Sequence, residues 1–295
     1  MSALVLPDLS VAPSVAPLFW KAALSSRRKP GDSPSIPSNS VTLKKFVLRG
    51  DDIAAYNAVC QLPEGGIAIT YPQVVAAPLH MHVMTQPNFP LPLVGIVHLR
   101  NVITQKAPLS AGTPYDVRVQ IGESRRSKLG IEVDLLTDYL ADGEPLWSAV
   151  TTVLHRVKAK GRAAKSAPPP PPPAVAASYQ PFDVPENIGR RYAAVAQDYN
   201  PIHLHAFTAR FLGFDRAIAH GMWSVARSLG VLLPAYTAAH GGAPAKLSIQ
   251  FKQPLLLPGR VTLKQVASGQ GVDFDLLARE GGKTHLSGRL EGLVS

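Results

Sequence analysis

An aspartate and a histidine stand five positions apart in the stretch DYNPIH, residues 198–203. Pro201 cannot simply continue a preceding helix, and it biases Asn200 away from the right-handed helical region. Asp198 and His203 are therefore predicted to lie on a turn, which can bring a carboxylate and an imidazole into one cavity. Such a pair can hold a water molecule, take one proton and deliver another. The histidine titrates near neutral pH, and the aspartate can stay ionised beside it.

The stretch AHGMW, residues 219–223, predicts the start of a long helix and a second part of the same site. Gly221 lets a ligand approach the backbone closely. The amides at a helix start carry partial positive charge, so they can stabilise an oxygen that becomes negative during a reaction. A nucleophile is not evident, because Cys60 stands alone in the other half of the chain and no Gly-x-Ser-x-Gly elbow occurs. The reaction class that fits is proton abstraction next to a carbonyl, with addition or loss of water.

Each of these residues also has a purely structural interpretation. Asp198 can cap a turn, as aspartate often does before Asn-Pro, and His203 can be a hydrogen-bonded core histidine. His220 is predicted to pack beside the helix start, where it can also touch a ligand. Packing positions are predicted for Tyr192 and Trp223, and a surface position for His205. The histidines at 203, 205 and 220 match no common zinc spacing, so no metal site is predicted.

The elements that must position these residues follow from the hydrophobic pattern. A helix with one apolar face is predicted over 187–197, and a longer helix over 221–233 that Pro234 stops. Strands are predicted after it at residues 245–251, 260–266, 272–279 and 283–290. The earlier part of the chain repeats this order, with a short helix at 78–84 and strands at 95–103, 115–121, 129–137 and 146–155. One helix followed by a run of antiparallel strands, twice, favours an α+β tandem duplication.

Proline helps to divide the chain. The 28 prolines are roughly double what average usage of about 5% would give. Six of them in a row, at 168–173, predict an extended, semi-rigid spacer. The predicted units are an N-terminal appendage with a loose segment (1–40), a first unit (41–158), a Pro-rich linker (159–180) and a second unit (181–295).

The net charge of +10 admits nucleic acid, an anionic membrane surface or an anionic ligand as partners. The basic clusters are not interleaved with aromatic residues, and no helix-turn-helix or zinc-finger pattern occurs, so nucleic acid is not predicted. The single cysteine excludes a disulfide framework. No apolar run approaches the ~20 residues of a membrane span, and the N-terminus does not read as a signal peptide. A cytoplasmic protein without stable membrane insertion is expected.

The stretch YAAVAQDYNPIH, residues 192–203, resembles the motif of the MaoC-like (R)-specific enoyl-CoA hydratases, and AHGMW resembles the start of that family's central helix. The resemblance implies a double hot dog, two tandem units that each have a long helix wrapped by an antiparallel sheet. The first unit resembles a degenerate hot dog because it lacks the Asp-x-Asn-Pro-x-His string, and the second resembles the catalytic one. Gln197 departs from the pattern, since the family commonly has glycine there, and a positive φ would strain a glutamine.

The same resemblance assigns roles to the site residues. Asp198 and His203 become the catalytic dyad, and the Gly221 amide becomes the donor to the thioester carbonyl. Four further residues support the motif: Tyr192, Asn200, Pro201 and His220. Asn200 orders the motif loop.

The implied activity is reversible hydration of trans-2-enoyl thioesters to (R)-3-hydroxyacyl thioesters in fatty-acid metabolism, without a cofactor or a metal. The substrate is carried by coenzyme A or by acyl carrier protein, whose anionic surfaces suit a basic rim. Arg125, Arg126 and Lys128 are docking candidates by charge. The chain is expected to be a monomer with an internal pseudo-dimer, or a homodimer. Two alternatives stay open, a hot-dog thioesterase and a non-catalytic module that binds acyl thioesters.

Overall fold

The computed structural model describes residues 3–31, 34–157, 177–240, 245–278 and 282–293. The strands are β1 Ser40–Val47, β2 Val97–Gln105, β3 Pro114–Ser127, β4 Gly130–Ala141, β5 Glu144–Arg156, β6 Ala177–Val184, β7 Ala245–Phe251, β8 Gly259–Ser268, β9 Gly271–Ala278 and β10 Thr284–Gly292. The helices are α1 Val15–Leu24, α2 Gly50–Cys60, α3 Tyr71–Val75, α4 Ala77–Met84, α5 Ile188–Ala196, α6 Pro201–Leu204, α7 Ala206–Phe211 and α8 Gly221–His240.

All of these strands belong to one antiparallel sheet, in the order β1-β3-β4-β5-β2-β7-β10-β9-β8-β6. Read outward from the central β2–β7 pair, the first half runs β2-β5-β4-β3-β1 and the second runs β7-β10-β9-β8-β6. Each strand of one half therefore has a counterpart at the same place in the other half. The predicted α+β tandem duplication is confirmed, and the β2–β7 pair is the seam between the two halves.

The two central helices differ in length. Helix α8 has 20 residues and buries its apolar face completely at Val225, Ala226 and Leu229. Its counterpart is broken into the short helices α3 and α4, each of which has a proline in its first turn, Pro72 and Pro78. The short helix that the sequence pattern predicts at 78–84 is thus confirmed as α4, and the long helix of the hot-dog resemblance is continuous in the second half. Proline lacks the N–H that would continue the preceding turn.

Helix α8 also continues past Pro234, where the sequence pattern predicts its end. A proline inside a helix removes one hydrogen bond and introduces a kink, which other contacts can offset. Leu232 before the proline is buried, and Tyr236 after it packs against the core. The burial of side chains on both sides of Pro234 stabilises the helix beyond the proline.

The N-terminal segment packs against the first half, although 25–40 is expected to be loose. The Leu9 amide donates to the Thr42 carbonyl at 2.8 Å, alongside β1. The Arg28 guanidinium donates to four main-chain carbonyls at 3.0–3.2 Å, those of Met84, Thr85, Gln86 and Leu91. A planar guanidinium with five donors can satisfy a cluster of carbonyls in this way.

The predicted linker is largely outside the described residues, which resume at 177. Residues 177–180 of that range form the start of β6, paired with β8 from Ala177–Val266 onward. No helix within the described parts of the chain is long and apolar enough to cross a membrane.

One buried histidine, His80, and one partly buried histidine, His98, lie in the first half. The Nε2 atom of His80 lies 2.7 Å from the Thr137 hydroxyl, and burial lowers the pKa of His80 to about 3. Burial likewise lowers the pKa of His98, on β2, to about 4. Both side chains therefore stay neutral in the folded protein at pH values where an exposed histidine is charged.

We expect these histidines to weaken the fold in acid. Below the ordinary histidine pKa of 6.5 the unfolded chain binds a proton at His80 that the folded chain does not. The free energy of unfolding therefore falls with decreasing pH, by about 1.4 kcal/mol per pH unit for each such imidazole. The His80→Gln variant keeps a partner for Thr137 and removes the titration. Guanidinium denaturation at pH 7, 6 and 5 should show a smaller pH slope for this variant than for the wild type.

The matched variant is His205→Gln, which makes the same substitution at an exposed side chain. Equal slopes for the wild type and His80→Gln would contradict the assignment.

Candidate active site

The turn between α5 and α6 carries the predicted dyad. Helix α5 ends with Gln197 in the left-handed region, φ 54° and ψ 24°. The position therefore does require a positive φ, which costs a non-glycine residue about 1–2 kcal/mol. The Gln197 side-chain amide donates to the Ala194 carbonyl at 3.0 Å, and this bond offsets part of the strain. The side chain of Asn200 accepts a hydrogen bond from the Ile202 amide at 3.4 Å, and Pro201 is the first residue of α6. This hydrogen bond agrees with the predicted role of Asn200 in ordering the motif loop.

The turn brings Asp198 and His203 together, and it adds His220 to them. One ring nitrogen from each histidine and one carboxylate oxygen of Asp198 all lie within 4.8 Å of one another. The imidazoles of His203 and His220 stack with ring centroids 3.7 Å apart and planes inclined by 27°. Both histidines are buried, whereas the side chain of Asp198 is 43% exposed. The result is a solvent-facing carboxylate beside two desolvated imidazoles.

The hydrogen bonds fix which nitrogen of each imidazole carries the proton. The Nδ1 atom of His203 lies 2.8 Å from the Ile218 carbonyl, which can only accept, so Nδ1 donates and Nε2 keeps its lone pair. The Nε2 atom of His220 donates to the Asp198 carbonyl at 3.0 Å and lies 3.8 Å from the Asp198 carboxylate. Burial lowers the pKa of His203, against the opposing effect of Asp198, and lowers that of His220 to about 4. His203 is thus a neutral base at neutral pH.

Gly221 is the first residue of α8, directly after His220. The His220 carbonyl accepts from the Ser224 amide at 3.1 Å, so the amide of Gly221 belongs to the first turn and has no acceptor within the helix. A Cβ atom at position 221 would lie 2.8 Å from the Phe251 ring. A glycine here lets the aromatic ring close over the helix start and leaves an amide of partial positive charge facing outward.

Gly189 is a site residue that the sequence pattern did not indicate. It lies in the first turn of α5, and a Cβ atom there would be 1.8 Å from the carbonyl oxygen of His203. The backbones of α5 and α6 can approach this closely only at a residue without a side chain. The sequence signal was a glycine inside a helical pattern, which alone does not say what the glycine contacts.

The remaining predicted residues take structural positions. Tyr192 is buried with its ring 4.9 Å from that of His220 and 6.0 Å from that of Tyr56, so it supports the site by packing. Trp223 is buried as predicted, and its indole donates to the Val59 carbonyl at 3.3 Å. Cys60 is buried, and burial raises its pKa to about 12, which makes it a poor nucleophile.

The nitrogen and carboxylate oxygen atoms of Asp198, His203 and His220 lie close enough together to hold a metal ion, although the spacing of the histidines in the sequence does not predict a metal site. One nitrogen of each ring is already bonded to a carbonyl. His205 is exposed, and its Nδ1 faces the Arg190 guanidinium at 3.5 Å instead of the cluster.

Arg125, a docking candidate by charge, has its charge compensated within the sheet. Its guanidinium donates to the Asp134 carboxylate at 2.7 and 3.1 Å and to Glu132 at 3.1 Å. Both acids stand on β4, next to the strand that carries Arg125. The cluster that Arg125 shares with Arg126 and Lys128 thus offers less free charge than the sequence alone indicates.

The chain is similar to known proteins over most of its length. Residues 171–287 match the family model described as MaoC like domain. The chain is 32% identical over 259 residues to 3-hydroxyacyl-thioester dehydratase X of Mycobacterium tuberculosis. The aligned region covers 88% of this chain and 91% of that protein.

Solved structures show the same similarity. The crystal structure of HtdX from Mycobacterium tuberculosis superposes with a TM-score of 0.72 at 32% identity, covering 86% of this chain and 100% of that one. A MaoC-like dehydratase from Phytophthora capsici superposes with a TM-score of 0.68 at 16% identity, covering 88% of this chain and 96% of that one. The second similarity concerns the fold alone.

Proposed function

The chain belongs to the MaoC-like dehydratase family, and we propose that it is a hydro-lyase that interconverts trans-2-enoyl and (R)-3-hydroxyacyl thioesters. The observation that supports this proposal most directly is the pairing of Asp198 with a neutral His203, next to His220 and the start of α8. A carboxylate and a free imidazole lone pair can hold one water molecule between them. The adjacent Gly221 amide can accept the charge that develops on a thioester carbonyl.

In the hydration direction, the water donates its two hydrogens to the Asp198 carboxylate and to Nε2 of His203. The water oxygen attacks the β-carbon as the dyad takes one proton, and the dyad returns a proton to the α-carbon. The electron pair of the double bond moves through the α-carbon to the thioester oxygen and then back to form the new C–H bond. Because water and proton come from one face, the addition is syn.

The start of α8 supplies the electrostatic part of the reaction. As the double bond is attacked, the thioester oxygen gains negative charge, and the Gly221 amide can donate a hydrogen bond to it. A donor that is already in place contributes about 3 kcal/mol to the lowering of a barrier of this kind. The partial positive charge at the N-terminus of a 20-residue helix acts in the same direction.

The proposal is tested by product analysis with enoyl thioesters of four to sixteen carbons on both carriers. We expect loss of the enoyl absorbance, no release of free thiol, and a 3-hydroxyacyl product of the R configuration. The reverse reaction should form the trans-2-enoyl thioester from the R but not from the S hydroxy compound. Release of thiol would indicate a thioesterase, and binding without turnover at any chain length would indicate a non-catalytic module.

A further inference from the structure

The chain between the two stacked histidines leaves the active site and returns to it. We call this segment, residues 204–219, the aromatic excursion. Its ends are close because the rings of His203 and His220 are 3.7 Å apart. Helix α7 lies within it and is held against α6, since the Thr208 hydroxyl donates to the Pro201 carbonyl at 2.7 Å. The excursion therefore begins and ends beside the solvent-exposed carboxylate of Asp198.

The aromatic excursion exposes an unusual amount of apolar surface. Phe207 is 70% exposed and Phe211 is 76% exposed, and their rings meet edge to face with centroids 4.9 Å apart. Leu212 and Tyr199, the residue after the catalytic aspartate, are also exposed. A contiguous apolar patch of this kind on a protein surface marks a site of interaction, whereas single exposed residues do not.

Arginines without a carboxylate partner lie within the aromatic excursion or on α5, which packs against α6. Arg190, Arg191, Arg210 and Arg216 are all exposed, and none forms an ion pair with a carboxylate of the described residues. Arg125 and Arg289, on the sheet, are each paired with two acids. Three arginines near the patch donate instead to main-chain carbonyls, which hold the guanidinium in place and leave its charge free: Arg190 to Leu204, Arg210 to Asp215 and Arg216 to Pro258.

The first half supplies an internal comparison. Its equivalent segment, residues 61–70, joins α2 to α3 and contains one charged residue, Glu64. The large apolar residues of that segment do not form an exposed patch, since Leu62 and Ile69 are buried and Ile67 packs against the core. Exposed aromatic rings together with exposed arginines thus occur in this segment of the half that carries Asp198 and His203, and not in the equivalent segment of the other half.

We propose that the aromatic excursion is the docking surface for an acyl carrier protein, an inference that rests on the proposed function. A carrier protein presents its thioester at the end of a flexible arm, so it must dock next to the entrance that the arm enters. Carboxylates on its surface would face the four arginines, and apolar side chains between those carboxylates would cover Phe207 and Phe211. The phosphates of coenzyme A could also pair with arginine, but its polar arm would leave most of the apolar patch exposed.

The test compares one acyl group on two carriers. The kcat/KM for hydration is measured with a crotonyl group on a purified type II acyl carrier protein and on free pantetheine, which has no docking surface. We expect Phe211→Ser and Arg210→Glu each to lower kcat/KM about tenfold with the carrier protein, mainly through KM, because aromatic and arginine residues dominate such interfaces. With crotonyl-pantetheine both variants should stay within about twofold of the wild type.

Matched controls lie outside the excursion. Trp20 is also 70% exposed, and Arg27 is also exposed, so Trp20→Ser and Arg27→Glu should leave kcat/KM unchanged on both carriers. The effect of Arg210→Glu should shrink as the salt concentration rises, because exposed charges are screened.

Several results would overturn the docking proposal. In the kinetic assay, these are equal losses of kcat/KM with the carrier protein and with pantetheine, or a loss with crotonyl-CoA as large as that with the carrier protein. In binding assays, they are binding of the wild type to phosphatidylglycerol vesicles that Phe211→Ser abolishes, or self-association of the chain through Phe211 while the kinetics with the carrier protein stay unchanged. Direct titration of the wild type and Phe211→Ser with the carrier protein gives a readout that does not need turnover. If no enoyl thioester of four to sixteen carbons is hydrated on either carrier, the proposed function fails, and this titration still decides the docking question.

Discussion

Replacement of Asp198 by asparagine should lower the turnover number for hydration about 10³-fold, the usual effect of removing one acid–base group. The change keeps the shape of the side chain and an oxygen that can accept from the Asn200 amide, a contact of 3.2 Å in the wild type. It removes the negative charge beside His203 and one acceptor for the water. Because the Asp198 side chain is 43% exposed, the free energy of unfolding should change by less than about 1 kcal/mol.

The measurement is kcat with crotonyl-pantetheine, together with the melting temperature. Asp183→Asn is the matched control, because it makes the same change at a side chain that is 79% exposed, outside the site. Near-wild-type turnover by Asp198→Asn would rule out the dyad. His203→Ala is a less clean test, since loss of the buried ring leaves the Ile218 carbonyl without its donor and costs about 1–3 kcal/mol of stability.

Gly189→Ala should damage both the fold and the reaction, although position 189 carries no chemical group. The new Cβ atom would lie 1.8 Å from the His203 carbonyl oxygen, and this neighbour is backbone, which cannot rotate away. Helix α6 must therefore move, and it carries His203 with it. A displacement of about 1 Å at a catalytic group can lower the rate about 100-fold. Loss of packing should lower the free energy of unfolding by about 1–3 kcal/mol.

Gly230→Ala separates the two effects. A Cβ atom at Gly230 would lie 2.3 Å from the Gln61 carbonyl, a similar backbone clash that involves α8 and the first half and not the dyad. This variant should be destabilised comparably but should keep a kcat near that of the wild type at a temperature where it is folded. If Gly189→Ala keeps a normal kcat, or Gly230→Ala loses as much activity, the close approach at Gly189 does not position His203.

The elements that could be predicted from the sequence are those with clear local patterns. Strands β2, β4, β5 and β7 to β10, and helix α5, lie within about four residues of their predicted bounds, whereas β3 runs from Pro114 to Ser127, well past its predicted end at 121. Helix α2 was not predicted, although Ile53, Tyr56, Asn57 and Cys60 are buried at helical spacing. Two of those four are an asparagine and a cysteine, so the stripe does not read as apolar. Strand β1 was also missed, and its position depends on pairing with β3, a long-range contact.

The residues of the candidate site likewise fall into those that local sequence places and those that only folding brings together. Asp198 and His203 could be placed on one turn because Pro201 acts on its immediate neighbours. The stacking of His220 on His203, and the contact of Gly189 with the His203 carbonyl, join segments that only the folded chain brings together. The compensation of Arg125 by Asp134 and Glu132 depends on the register of β3 against β4, which the sequence does not state.

The β2–β7 seam pairs two halves of one polypeptide, from Arg100–Gln250 to Gln105–Ala245. Two separate chains that met through such a seam would come apart on dilution, and their function would depend on protein concentration. A covalent connection makes the pairing of the two halves intramolecular, and the effective concentration of one half around the other can reach about the millimolar range. The half that carries Asp198 and His203 therefore keeps its partner at any dilution. The partner half, freed from carrying a second dyad, can vary as long as it still completes the sheet.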